Sequence, residues 1–176
     1  MVGNLRVLHK AQDVVLEAFG TETWKNRDWH LNIYGSGEDE ELLHDLVQQH
    51  KLKARVTFHG KVSDIRELWK NNHILLMPSH MEGMPLAVVE AMLCGRPCIV
   101  SDVGGHAEWI EEGKEGWIAE PLSLSNLGYF EKAMERAWQQ KDRWEQMGLN
   151  AHAKAKRLYD PQPGKTLLNY IKRLNN

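Results

Sequence analysis

Residues 73 to 102 read HILLMPSHMEGMPLAVVEAMLCGRPCIVSD, and the change of texture within this run decides the fold. HILLMPS (73 to 79) is a short apolar run closed by a proline, the mark of a buried strand, and PCIVSD (97 to 102) is a second one after a Gly-Arg-Pro turn. Between them Pro85 suits a first helical position, because its missing N–H costs nothing there and its fixed φ fits the first turn. A helix over 85 to 94, opening near Met84, therefore links the two strands. A strand, helix, strand unit of this length predicts a parallel pair.

From Leu86 to Cys94 the helix is apolar on every face apart from Glu90, which predicts packing on both sides. A carboxylate in such surroundings requires a reason. The first amides of the helix, at Leu86 and Ala87, have no intrahelical acceptor and sit at the positive end of the macrodipole, so they favour an anion such as a phosphate. Glu90 lies five residues on from Pro85, about 7.5 Å along the axis at 1.5 Å per residue, and its side chain leans back toward that end. An ionised carboxylate only accepts hydrogen bonds, and its two oxygens suit the neighbouring hydroxyls of a ribose. Glu82, in the glycine-containing loop before the helix, would meet hydroxyls of a second sugar on the other side of the phosphate.

Outward from this unit the same alternation continues. Strand-like runs occupy 29 to 35, 55 to 60 and 116 to 119, and helical patterns occupy 10 to 24, 38 to 50, 64 to 71 and 106 to 112. MVGNL reads as the end of a first strand whose beginning lies upstream. The whole predicts an α/β fold, a Rossmann-like three-layer parallel sheet of about six strands with helices on both faces. Residues 120 to 124 read as a loop, 127 to 159 as two helices dividing near Lys141, and 166 to 174 as a last helix. The span 120 to 176 is thus mainly a helical extension of a single domain. If the strand order is 3-2-1-4-5-6, ligands sit where it reverses, between the loops GNLRVLHK and PSHMEGMP, so Asn4 and Lys10 face Glu82.

The chain has 176 residues, 42% hydrophobic and 26% charged, with a net charge of -2, which is ordinary for a soluble globular domain. That charge gives no electrostatic case for nucleic acid or an anionic membrane as the main partner. Cys94 and Cys98, the only cysteines, read as two buried thiols in a reducing compartment. No apolar run reaches the ~20 residues of a membrane span and no signal peptide is visible, so a cytoplasmic protein is expected. The nine histidines form none of the close ligand pairs that zinc needs, and no metal or other cofactor is expected.

EGMPLAVVE, with seven residues between its glutamates, the following AMLCGRPCIVSDVGG and the HAEWIEEG run resemble the C-terminal domain of the retaining glycosyltransferases of family 4, which have the GT-B fold. The similarity runs from VGNL to about Met147. The resemblance implies donor-ribose binding by Glu90 and a contact of Glu82 with the transferred sugar. It also implies base binding by the loop holding Gly60 and Val62, and an N-terminal acceptor domain that is absent here. Any membrane contact would come through that missing half or the acceptor. In the family the first loop carries an Arg and a Lys-Gly pair that clamp the diphosphate. Here Asn4 stands for the Arg and Ala11 for the Gly, while Lys10 is kept, and losing a guanidinium removes a term worth ~2 to 4 kcal/mol in a transition state.

The expected catalytic residues are therefore Glu82 and Lys10, and the donor-binding ones Glu90, Asn4, Gly83, Met84, Leu86, Ala87, Gly35, Gly37, Gly60 and Val62. Arg6 is a candidate substitute cation, although an exposed surface arginine is the plainer reading. Gly35 and Gly37 either let backbone approach a nucleotide or simply make a tight turn. His80, beside Glu82, is more simply a packing histidine than a proton-transfer group. Trp69, Trp109 and Trp138 read as packing. Three functions stay open: the donor half of a retaining glycosyltransferase using a nucleoside-diphosphate sugar, a stand-alone nucleotide-sugar-binding module, and a nucleotide-sugar 2-epimerase of the same fold.

Overall fold

A computed structural model describes residues 1–120 and 128–174 of the chain. Five parallel strands alternate with helices, each strand inside an apolar run of the sequence: β1 (Leu31–Ile33), β2 (Val56–Phe58), β3 (Leu75–Met77), β4 (Cys98–Ser101) and β5 (Gly116–Ala119). β1 pairs with β2, and β4 lies between β3 and β5, all in parallel register. Val2 bridges to Tyr34 beside β1. The order of the described strands, β2-β1-Val2 in one group and β3-β4-β5 in the other, agrees with 3-2-1-4-5-6. Among the described residues the expected count of about six is corrected to five strands, the first expected strand being reduced to the bridge at Val2. Only Met1 to Gly3 run alongside β1, through Tyr34 N to Met1 O and Gly3 N to Tyr34 O. A cavity of about 330 Å³ lined by Leu31, Ile74, Leu76 and Trp138 follows on the line of that bridge, toward the amino ends of the strands.

The sheet is covered on both faces: β3 and β4 are buried at every residue, and their side chains alternate between two apolar clusters. Leu76 and Ile99 join one apolar cluster with Val15, Leu16, Phe19, Phe130 and Met134. Leu75, Met77, Cys98 and Val100 join another with Trp69, Val88, Met92 and Trp109. The first cluster is roofed by α2 (Gln12–Phe19), α4 (Glu40–Gln49) and α8 (Tyr129–Gln139), the second by α5 (Ile65–Lys70), α6 (Leu86–Leu93) and α9 (Trp144–Leu158). Trp69 and Trp109 are buried and Trp138 is edge-on to Trp24 at 5.7 Å, so all three pack. Among the described residues no helix is long and apolar enough to cross a membrane.

Several boundaries differ from expectation. Residues 10 to 24 are not one helix but three pieces, α1 (Val7–Lys10), α2 and α3 (Glu22–Lys25). The first break falls at Ala11, which has φ +48, and its cause is tertiary. The His9 carbonyl, which a continuous helix would spend on Asp13, instead accepts the His80 amide at 2.9 Å. α7 (His106–Trp109) stops early, with Ile110 extended as the chain enters a bridge at Glu112. The division near Lys141 is a 3-10 turn, and α10 (Pro163–Leu174) starts before the expected Thr166. The loop expected at 120 to 124 lies outside the described residues from 121 on. α6 buries only Val88, Ala91 and Met92 while Leu86 is 63% exposed, so it is not packed on every side. Sheet and α9 cover one side of it, and the side nearest its amino terminus stays open.

Candidate functional site

The two loops expected to face one another do meet. Lys10, the last residue of α1, forms an ion pair through its Nζ with Oε1 of Glu82, 72 residues away. Ser79 Oγ donates to the same Oε1 at 2.8 Å. The Glu82 side chain is 7% exposed and that of Lys10 is 23% exposed, so water screens this pair little. The loop holding Glu82 rests directly on the glycines after β4. Gly104 has φ +54, and a Cβ there would lie 2.1 Å from the Glu82 carbonyl oxygen.

Glu90 stands near the middle of α6, half-buried, and its carboxylate makes no hydrogen bond or ion pair to the described residues. Burial pushes its carboxyl above the usual range. The first turn of α6 is more occupied than expected. Pro85 is the cap residue, its carbonyl accepts from Val88 and Val89, and the Leu86 amide donates to Met84 O at 2.9 Å. That removes Leu86 as a free donor and leaves the Ala87 amide without a backbone acceptor. Gly83 and Met84 are exposed beside it, and nothing would touch a Cβ on Gly83.

The remaining residues divide. Arg6 is not a free cation, because its guanidinium is held by Glu38 at 2.6 Å in an exposed pair. Asn4 is exposed with its amide oxygen against Gly37. Gly35 and Gly37 have a visible task within the fold. A Cβ on Gly35 would lie 1.8 Å from Gly3 O, and one on Gly37 2.2 Å from Leu5 O, so both admit the first loop onto the end of β1. Gly60, at φ +64, accepts the Gly35 amide at 2.7 Å, and Val62 is 38% exposed; they lie at the carboxyl end of β2, across β1 from Lys10. His80 has a buried Nδ1 without a partner, and its amide is on His9. Among the described residues no group of three or more His, Cys, Asp or Glu is placed to hold a metal ion.

Sequence reasoning missed Ser79, Ser101 and His106, all buried at 1% exposure or less. Ser101 Oγ donates to Ser79 O at 2.6 Å, and His106 Nδ1 donates to Ser101 O at 2.7 Å, which fixes its tautomer. Burial lowers the His106 pKa, against the opposing effect of that bond. The available signal was small: each serine is the polar residue ending an apolar strand, and His106 follows Gly104-Gly105.

Residues 1–154 match the family described as Glycosyl transferases group 1. N-acetyl-alpha-D-glucosaminyl L-malate synthase of Bacillus anthracis is 35% identical over 122 residues, covering 68% of this chain and 31% of that protein. Sucrose-phosphate synthase from Thermosynechococcus elongatus aligns with a TM-score of 0.81 at 20% identity, over 98% of this chain and 44% of that one. Anabaena HepE in complex with UDP-glucose aligns with a TM-score of 0.78 at 24% identity, over 96% of this chain and 48% of that one. The chain spans about a third of the length of the curated relatives it matches. Matched by the family over all but its last 22 residues, and with a Rossmann-like parallel sheet of the GT-B kind, the chain belongs to the group 1 glycosyl transferases.

Proposed function

We propose that this chain is the donor-binding half of a glycosyltransferase that moves a sugar from a nucleoside diphosphate to an acceptor with retention of configuration. The observation that carries this reading is the meeting of Lys10 and Glu82 at the carboxyl ends of the strands, beside the amino terminus of a helix whose Glu90 has no partner among the described residues. In this reading the Glu90 carboxylate accepts from the ribose hydroxyls, and Glu82 orients the sugar to be transferred. Lys10 and the Ala87 amide meet the charge that develops on the leaving diphosphate, with no divalent ion required. Gly83, Met84 and the loop of Gly60 and Val62 line the rest of the donor site. HepE is described with UDP-glucose bound, which makes a uridine nucleotide the first to try.

The acceptor and the facing wall of the cleft would come from a second domain, with the protein in the cytoplasm or at the inner face of its membrane. Met81, Met84 and Leu86, each over 60% exposed around the site, suit a surface that another domain covers. A second reading, a binding module without catalysis, is favoured by one specific observation. Asn4 supplies no cation, and the nearest substitute, Arg6, is committed to Glu38. Thermal-shift titration with uridine, guanosine and adenosine diphosphates tests both, since a ligand at 100 times its dissociation constant adds ~2.7 kcal/mol. No shift with any of the three overturns the donor-site reading. With a donor identified, transfer to an acceptor by the chain joined to its second domain separates enzyme from module.

A further inference from the structure

Glu82 Oε1 accepts two hydrogen bonds, one from Lys10 and one from Ser79. The two donors differ in what an incoming diphosphate does to them. Lys10 is a long, partly exposed ammonium that a diphosphate would draw away, whereas Ser79 is 1% exposed and out of reach of an incoming ligand. A carboxylate only 7% exposed, once stripped of its ammonium, depends on whatever donor remains.

Ser79 is itself held. The β3–β4 ladder ends at Met77 and Val100, so the carbonyls beyond it have no strand partner. Side chains take over: Tyr129 OH donates to Pro78 O at 3.0 Å, and Ser101 Oγ donates to Ser79 O at 2.6 Å. The Ser101 carbonyl in turn accepts His106 Nδ1. Buried donors from β4, α7 and α8 thus converge on the strand ends beneath Glu82, more than closing a surface loop requires.

We propose that Ser79 is a positioning residue for Glu82: fixed from below by Ser101 and His106, it keeps the carboxylate turned toward the donor's sugar when Lys10 shifts to the diphosphate. The proposal rests on the reading of Glu82 as a sugar contact. In the empty protein Lys10 still satisfies Glu82, so loss of the Ser79 hydroxyl costs little there. In the occupied site the loss falls on the sugar and spares the bare nucleotide.

The test is calorimetry on the chain with UDP, GDP and ADP and with their glucose conjugates, using Ser79→Ala, Glu82→Gln and the double variant. Ser79→Ala is expected to weaken the conjugate about tenfold, the worth of one hydrogen bond to a charged group, and to change the bare nucleotide less than twofold. In the Glu82→Gln background it adds nothing further. Equal losses for nucleotide and conjugate, or a loss that persists in that background, make Ser79 a structural residue and overturn the proposal. If Glu82→Gln itself fails to distinguish conjugate from nucleotide, or no pair binds, the donor-site reading falls and takes the proposal with it. Should Ser79→Ala not melt cooperatively, Ser79→Cys, similar in size and a weaker donor, is expected to give an intermediate loss on the conjugate alone.

Discussion

Replacing Glu90 with glutamine should make the protein slightly more stable and a much worse nucleotide binder. The side chain is half-buried among apolar neighbours, Ala91 and Met92 are fully buried beside it, and no described group donates to it. Burial alone raises its carboxyl pKa, so the folded protein holds this proton more tightly than the unfolded chain does. Below the ordinary carboxylate range the group costs nothing; as pH rises through the folded value the cost appears and then persists to neutrality. Because solvent still reaches the group, the cost at pH 7 is a few tenths of a kcal/mol, and glutamine removes it while keeping the size. Binding moves the other way. A carboxylate accepting from two neighbouring hydroxyls gains about 1.5 to 3 kcal/mol per bond, and glutamine keeps one acceptor, so a loss of about 2 kcal/mol, roughly 30-fold, is expected. Urea melts at pH 7 and pH 4 and calorimetry with a nucleoside diphosphate measure the two effects. A loss of more than about 1 kcal/mol in stability with nucleotide affinity unchanged would show that the carboxylate serves the interior, and the reasoning would be wrong.

Lys10→Met leaves Glu82 with Ser79 as its single donor and is expected to destabilise by about 2 kcal/mol; adding Glu82→Gln should restore most of it. A coupling below about 0.5 kcal/mol in that double-mutant cycle would mean the pair is loosely held. Gly104→Ala, with positive φ and a Cβ 2.1 Å from backbone, should cost more than about 2 kcal/mol in urea melts. Gly60→Ala, also at positive φ but facing open space, should cost only about 1 kcal/mol.

Much of the fold was legible because its strands are buried on both faces and so appear as short apolar runs. The helix pair dividing at Lys141 was legible too, from periodicity. The helix expected at 10 to 24 failed for a reason that propensity does not contain: alanine favours helix, yet Ala11 is left-handed because a loop seventy residues on claims the His9 carbonyl. The resemblance had placed a glycine at that position, the residue type such a conformation favours. Leu86 was assigned a free amide that the Met84 carbonyl takes, since how a cap turns before a proline depends on the loop around it.

The sequence by itself determined the layers, the parallel strands and the facing of the first loop on the loop after HILLMPS, because each follows from local pattern and the handedness of crossovers. It also singled out Glu90, since a charge within an apolar run is visible without coordinates. Only the tertiary structure decided that Lys10 and Glu82 close directly into an ion pair, that Arg6 is taken by Glu38, and that Ser79, Ser101 and His106 stand beneath the site. Those are choices among partners distant in the chain, made by ångström-scale geometry and burial, to which residue order gives no local sign.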